Sequence, residues 1–184
     1  CGPCPRPSSS ASATSPTGRF SIDDTQRLGD AILHVGRVES GFIEVGQEVF
    51  LQVDPEKRLP TMRHHTVTHL MNLALREVVG DKVDQKGSLV DHEKTRFDFT
   101  HDKPLTPAEI SRVEDLVNEK IRANLPVTVA TMPLEEAKKI PGVRAVFGEK
   151  YPDPVRVVLV GEDAVAQATA TDSVEFCGGT HLAR

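Results

Sequence analysis

Two pairs of residues in this chain have the chemistry and the spacing to hold a metal ion. His65 and His69 lie in RHHTVTHLMNLALREVV, where apolar residues recur with helical spacing. A turn of α-helix takes about 3.6 residues, so both rings project from one face, about 6 Å apart along the axis. Two imidazoles placed in this way can share one tetrahedral ion. His64 points about 100° away from them. Towards the other end, VEFCGGTHL sets Cys177 and His181 around Gly178, Gly179 and Thr180. The glycines permit a sharp turn that brings a thiolate and an imidazole together. Taken singly, HxxxH is a weak signal that more often means two histidines on a helix flank, and Cys-Gly-Gly also reads as a plain loop. Together, three His and one Cys make a Zn2+ ligand set, since thiolate and imidazole are that ion's preferred donors. The set is not that of a metalloprotease, because Thr66 stands where HExxH carries its general-base Glu.

The elements that must position these residues follow from periodicity. Leu70, Leu73 and Ala74 share one face of a helix predicted over residues 63–79, which Gly80 stops. Upstream, RFSIDDT, AILHVGRVE and QEVFLQVD read as strands, separated by Gly29-Asp30, Gly41 and Gly46. Pro55 and Pro60 bracket a charged connector. Downstream, strands are expected at 87–91 and 96–100, where Phe97 and Phe99 alternate with Arg96 and Asp98 as a core face does. Thr106-Pro107-Ala108-Glu109 combines an N-cap, a proline at the first helical position and a capping box. Ile110, Val113, Val117 and Ile121 form the seam of the helix that follows. A strand at 127–131, a short helix at 134–139, a strand at 155–160 and a final segment at 173–182 complete the chain. Strands and helices mix without strict alternation. The fold class is therefore α+β: a small antiparallel β subdomain, then a mixed sheet with packed helices and a zinc site.

Composition narrows the function. The chain has 184 residues, a net charge of −5 and 38% hydrophobic residues, enough for one ordinary domain or one with a small attachment. Its acidic balance argues against a dedicated nucleic-acid-coating protein, although a local basic patch can still meet RNA. Trp is absent and Tyr occurs once, which argues against an aromatic base-stacking platform. No apolar run approaches a membrane span, and the start lacks the layout of a signal peptide. Three cysteines, Cys1, Cys4 and Cys177, build no disulfide framework and suit a reducing compartment. The expected location is the cytoplasm, with no membrane partner. Residues 1–18 (CGPCPRPSSSASATSPTG) are rich in Ser, Pro and Ala and are expected to be a disordered tail. Its Cys1–Cys4 spacing has no second pair to complete a metal site. No P-loop or dinucleotide fingerprint occurs, so ATP-dependent amino-acid activation is not expected.

Five ordered segments carry a family resemblance: HHTVTHLMNLALRE, QKGSLV, RFDF, GEKYPDPVRVVLVG and CGGTH. Together they resemble the editing domain of alanyl-tRNA synthetase. The same module stands alone in AlaX-type trans-editing proteins and is related to the second additional domain of threonyl-tRNA synthetase. The resemblance runs over residues 19–181. It implies a β-rich subdomain at 19–58 and a zinc-bearing editing core at 59–184. It also implies hydrolysis of the ester in mischarged Ser-tRNA(Ala) and Gly-tRNA(Ala), so that the partner is the acceptor end of tRNA(Ala) carrying serine or glycine. Zinc ligands carry over to His65, His69, Cys177 and His181, and residues shaping the amino-acid pocket to Thr68, Gln85 and Ser88. Without the resemblance, Gln85 and Ser88 read as residues that cap a strand turn.

The chain also departs from the family. PRPSSSASATSPTG stands where editing domains carry a glycine-rich segment, and Arg184 follows His181 by three residues, where synthetases continue. The core is therefore expected to be incomplete at its C-terminus. Two alternatives stand beside the editing hydrolase: a zinc-stabilised acceptor-binding fragment without turnover, and a purely structural zinc site. Lys150 and Arg156 read as solvated surface charges, with tRNA phosphate contact as the alternative. His92 and His101 read as surface residues.

Overall fold

The computed structural model describes residues 11–80, 82–145 and 150–184. Cys1 and Cys4 lie outside them. Backbone contacts divide the chain into two units. One runs up to Thr61 and takes in Asp91–Glu93; the other comprises Met62–Val90 and Lys94–Arg184.

The first unit is built on four antiparallel strands: β1 (Ala11–Thr14), β2 (Gly18–Leu28), β3 (Ala31–Gly41) and β4 (Phe50–Val53), in the order β3-β2-β1-β4. The alternating stretches of the sequence supply β2, β3 and β4. Gly29 and Asp30 make the two-residue loop of the β2–β3 hairpin, and Gly29 takes the left-handed φ of 60° that such a tight loop requires. The expectation of a disordered tail over 1–18 is corrected for Ala11–Thr14. Ala13 pairs with Phe20 on one side and Leu51 on the other, and its side chain is buried. Ladder hydrogen bonds on both flanks outweigh a composition that, taken alone, reads as unstructured.

The expected connector between Pro55 and Pro60 is instead the start of helix α1 (Pro55–Val79). Asp54 caps it: its Oδ1 accepts from the Glu56 N–H and its carbonyl from the Arg58 N–H, both at 2.9 Å. Pro55 occupies the first helical position, where a missing N–H leaves no bond unmade. Pro60 removes one bond of the ladder, and the helix continues through it.

In the second unit, β5 (Gln85–Val90) and β6 (Thr95–Phe99) pair as a hairpin. Helix α2 (Pro107–Arg122) follows, then β7 (Val127–Met132), the short helix α3 (Leu134–Ala137), β8 (Val143–Arg144), β9 (Val155–Val160) and β10 (Ser173–Phe176). The sheet order is β7-β9-β10-β8, with β8 parallel to β10 and the other pairs antiparallel. This mixed sheet with its helices is the expected α+β class. β8 has no counterpart in the sequence reading, because two residues carry no periodicity. The run VRVVLV of β9 is buried on both faces, which is why it reads as almost unbroken apolar sequence. Val155, Val157 and Leu159 pack with Val174 and Phe176, while Val160 meets Leu70 and Ala74 of α1 and Leu116 and Val117 of α2.

The α2 seam differs from expectation. Burial centres on Leu116 and Val117 with Val113 beside them, while Ile110 and Ile121 stay 46% and 48% exposed. Only the middle of the helix is covered, so a seam drawn over its full length is too long. The helix start is as expected. Thr106 Oγ1 accepts from the Glu109 N–H at 3.3 Å, and Glu109 Oε2 accepts from the Thr106 N–H at 2.7 Å. Thr106→Ala removes one half of this capping box. It should lower unfolding free energy by about 1 kcal/mol, read as a lower urea midpoint at unchanged m-value.

Candidate metal centre

His65 and His69 lie along one face of α1, their ring centroids 5.3 Å apart and the rings nearly perpendicular. The His181 ring closes on both, at 4.2 Å from His65 and 4.5 Å from His69. Cys177 Sγ lies 3.4 Å from His65 Nε2 and 3.4 Å from His181 Nε2. One donor atom from each of the four falls within 4.8 Å of all the others, and all four residues are buried.

The donor set fits a tetrahedral ion. Zinc–sulfur and zinc–nitrogen bonds of about 2.3 and 2.05 Å at the tetrahedral angle would hold S and N about 3.6 Å apart, close to the 3.4 Å found for both Cys177 pairs. Both ring nitrogens of His69 are buried without a hydrogen-bond partner among the described residues, Nε2 standing 3.6 Å from Glu175 Oε2, a costly arrangement that an ion on one of the nitrogens would relieve. Protonation suits metal binding as well. Burial pushes the Cys177 thiol up, but hydrogen bonds with His181 and His65 and the nearness of His69 outweigh it and bring the group down to about 3. Burial pushes His181 down to about 4 against the opposing pull of Cys177. At neutral pH the cluster thus presents a thiolate and a neutral His181, the forms that bind metal.

The surrounding structure holds these donors in place. A Cβ on Gly179 would overlap the His65 ring, so the second glycine of CGGTH is required by close approach. Gly178 has open space around it, and neither glycine takes a left-handed φ. The sharp-turn argument from two glycines thus reduces to a steric demand at one of them. Arg156 Nη1 donates to the carbonyls of Cys177 at 2.6 Å and Gly179 at 2.9 Å. The Gly179 N–H points at Cys177 Sγ from 3.4 Å. Thr66 Oγ1 lies 3.3 Å from His181 Nδ1 and accepts from the Leu182 N–H at 3.2 Å. The position that would carry a protease's base therefore steadies a ring instead.

The reading of Arg156 as a solvated surface charge is corrected. The side chain is half-buried and tied to the turn, because residues 156, 158 and 160 of β9 share the face that looks towards it. Lys150 is exposed. Thr68, next to His69, is buried; its hydroxyl donates to the His64 carbonyl at 2.8 Å and pairs with Thr95 Oγ1 at 2.6 Å. Gln85 Nε2 donates to Ser88 Oγ at 3.2 Å on β5. The four ligand candidates thus converge, while Gln85 and Ser88 engage each other. Phe97 and Phe99 stack at 6.2 Å, with Phe97 buried, and Arg96 bonds Asp98 Oδ2 at 3.0 Å. Three supporting residues escaped the sequence reading: Asn72, Ser173 and Glu175. A signal for two existed in the strand period, since Ser173 and Glu175 precede Cys177 at steps of two.

A buried three-histidine, one-cysteine cluster between a helix and a strand-end turn, able to hold a metal ion, marks this α+β module. No family model matches the chain. It is 46% identical over 170 residues to the mitochondrial alanine-tRNA ligase of Saccharomyces cerevisiae, covering 89% of this chain and 17% of that protein. It is 49% identical over 165 residues to the enzyme of Dichelobacter nodosus (90% and 18%), and 48% over 169 residues to that of Psychrobacter arcticus (91% and 19%). The chain is homologous to one segment of the alanine-tRNA ligases. It spans less than a fifth of the length of these relatives. Among the described residues, no helix is long and apolar enough to cross a membrane.

Proposed function

We propose that this chain is the editing module of an alanyl-tRNA synthetase and hydrolyses the ester of Ser-tRNA(Ala) and Gly-tRNA(Ala) in the cytoplasm. The observation that carries this reading is the convergence of His65, His69, Cys177 and His181 on one point in a chain 46–49% identical to alanine-tRNA ligases. These four side chains would hold Zn2+. When bound, the ion supplies a Lewis acid able to activate water or anchor the substrate's amino group. The aminoacyl ester is already activated, so the remaining work is positioning. The hydroxyls of Thr68 and Ser88 and the Gln85 amide are assigned to the substrate's polar groups. A pocket that hydrogen-bonds a serine hydroxyl rejects alanine far better than an apolar pocket rejects serine, because alanine leaves its polar groups unpaired. The acceptor end of tRNA(Ala) binds weakly and salt-sensitively, since the net charge is −5.

One observation favours a second reading. Four protein donors make a closed set, which is the pattern of structural zinc sites. On that reading the chain is a zinc-stabilised acceptor-binding fragment without turnover. Deacylation of Ser-tRNA(Ala) by the purified chain separates the two, and a gel shift with uncharged tRNA detects the second. Gln85→Ala should lower deacylation by about tenfold or more, the worth of one lost hydrogen bond, with zinc content unchanged. Equal rates in variant and parent remove Gln85 from the site.

A further inference from the structure

The second unit holds a buried carboxylate that the four-ligand centre does not use. Glu175 is 5% exposed. Its Oε1 accepts from Asn72 Nδ2 at 2.8 Å, and its Oε2 lies 3.6 Å from His69 Nε2. Asn72 is itself buried and stands three residues after His69 on α1, on the same side of the helix. Burying a carboxylate is unfavourable unless a partner compensates it. One amide hydrogen bond is a small return for a full charge.

The alternation of β10 shows how the carboxylate comes to lie there. Val174 and Phe176 enter the apolar core. Ser173, Glu175 and Cys177 take the opposite face and meet α1 in turn. Ser173 Oγ donates to the His69 carbonyl at 3.3 Å, Glu175 reaches Asn72 and the His69 ring, and Cys177 reaches His65. The same strand face that delivers the thiolate therefore delivers the carboxylate. A divalent ion with one thiolate leaves a net positive charge in a buried place, which a carboxylate at this distance offsets. Carboxylates beside ligating histidines also fix ring orientation and raise metal affinity.

We propose that Glu175, anchored by Asn72, is a positioning residue for the metal centre: it sets the His69 ring and compensates the charge of the loaded site. This inference rests on the metal reading above and concerns how tightly the site holds its ion.

The test is zinc affinity of the full chain, measured by competition with a chromogenic chelator, with Co2+ absorption as a second readout. Glu175→Gln keeps the shape and an acceptor for Asn72 but removes the charge. It should weaken zinc binding by about 10- to 100-fold and shift the Co2+ ligand-field bands, while the thermal midpoint of the metal-free chain stays at or above the parent value, since the variant removes a buried charge. Asn72→Ser, which releases the carboxylate, should weaken zinc several-fold; it decides the matter if Glu175→Gln does not fold. Parent-like zinc affinity and Co2+ bands in the folded variants would overturn the proposal while leaving the metal centre standing. A parent chain that binds no zinc would overturn both.

Discussion

Gly179→Ala should strip zinc from the chain, whereas Gly178→Ala should leave it in place. The two glycines are adjacent in sequence and differ only in what surrounds them. A Cβ at 179 would overlap the Cε1 and Nδ1 atoms of His65. The ring cannot retreat freely, because His181 lies 4.2 Å and His69 5.3 Å from it, centroid to centroid. Either the ring turns out of the cluster or the turn carrying Cys177 withdraws. Metal sites tolerate donor displacements of only about 0.2 Å, so each route breaks coordination. At 178 a Cβ meets nothing within 4 Å. Metal analysis of the two purified variants provides the check: near-stoichiometric zinc in Gly178→Ala and little in Gly179→Ala. Full zinc in Gly179→Ala would mean that His65 is not a ligand.

Cys177→Ala should be the other variant without bound zinc. Its thiolate is the one anionic donor in the four-residue cluster and contacts two of the three histidines at 3.4 Å. Alanine leaves three neutral imidazoles and a gap. The loss should appear in stability as well, because an ion that binds only the folded chain stabilises it by mass action, by about 2.7 kcal/mol at a free concentration 100 times Kd. Adding EDTA should therefore lower the thermal midpoint of the parent and leave that of Cys177→Ala unmoved. Co2+ loading offers an independent sign, since the sulfur-to-cobalt charge-transfer band should vanish with the thiol. Stoichiometric zinc in the variant would sink the four-ligand model.

Much of the site was legible because its information is local. The spacing of His65 and His69 needs only helical periodicity to place two rings together, and the Cys177–His181 interval needs only a short turn. The capping box at Thr106, the Gly29-Asp30 turn and the strand at 155–160 are local in the same sense. Each depends on residues within a few positions of one another. Ligand chemistry joins the two distant halves, and the family resemblance joins them again.

Where local reading failed, the deciding partner was far along the chain. Ala11–Thr14 becomes a strand because β2 and β4 flank it, and an isolated ASAT stretch carries no sign of that. Arg156 is a charged residue in sequence, and it becomes a clamp only because β9 runs beside the Cys177 turn. Glu175 and Asn72 stand 103 residues apart, and their pairing at 2.8 Å is set by how β10 docks on α1. The need for glycine at 179 likewise arises from a ring 114 positions earlier in the chain. The sequence by itself determined the α+β class, the two halves of the ligand set and the helix that carries one of them, because helix and strand periods and turn chemistry act over a few residues. The tertiary structure alone decided which side chains steady those ligands, because burial and close approach depend on elements that meet only after the chain has folded.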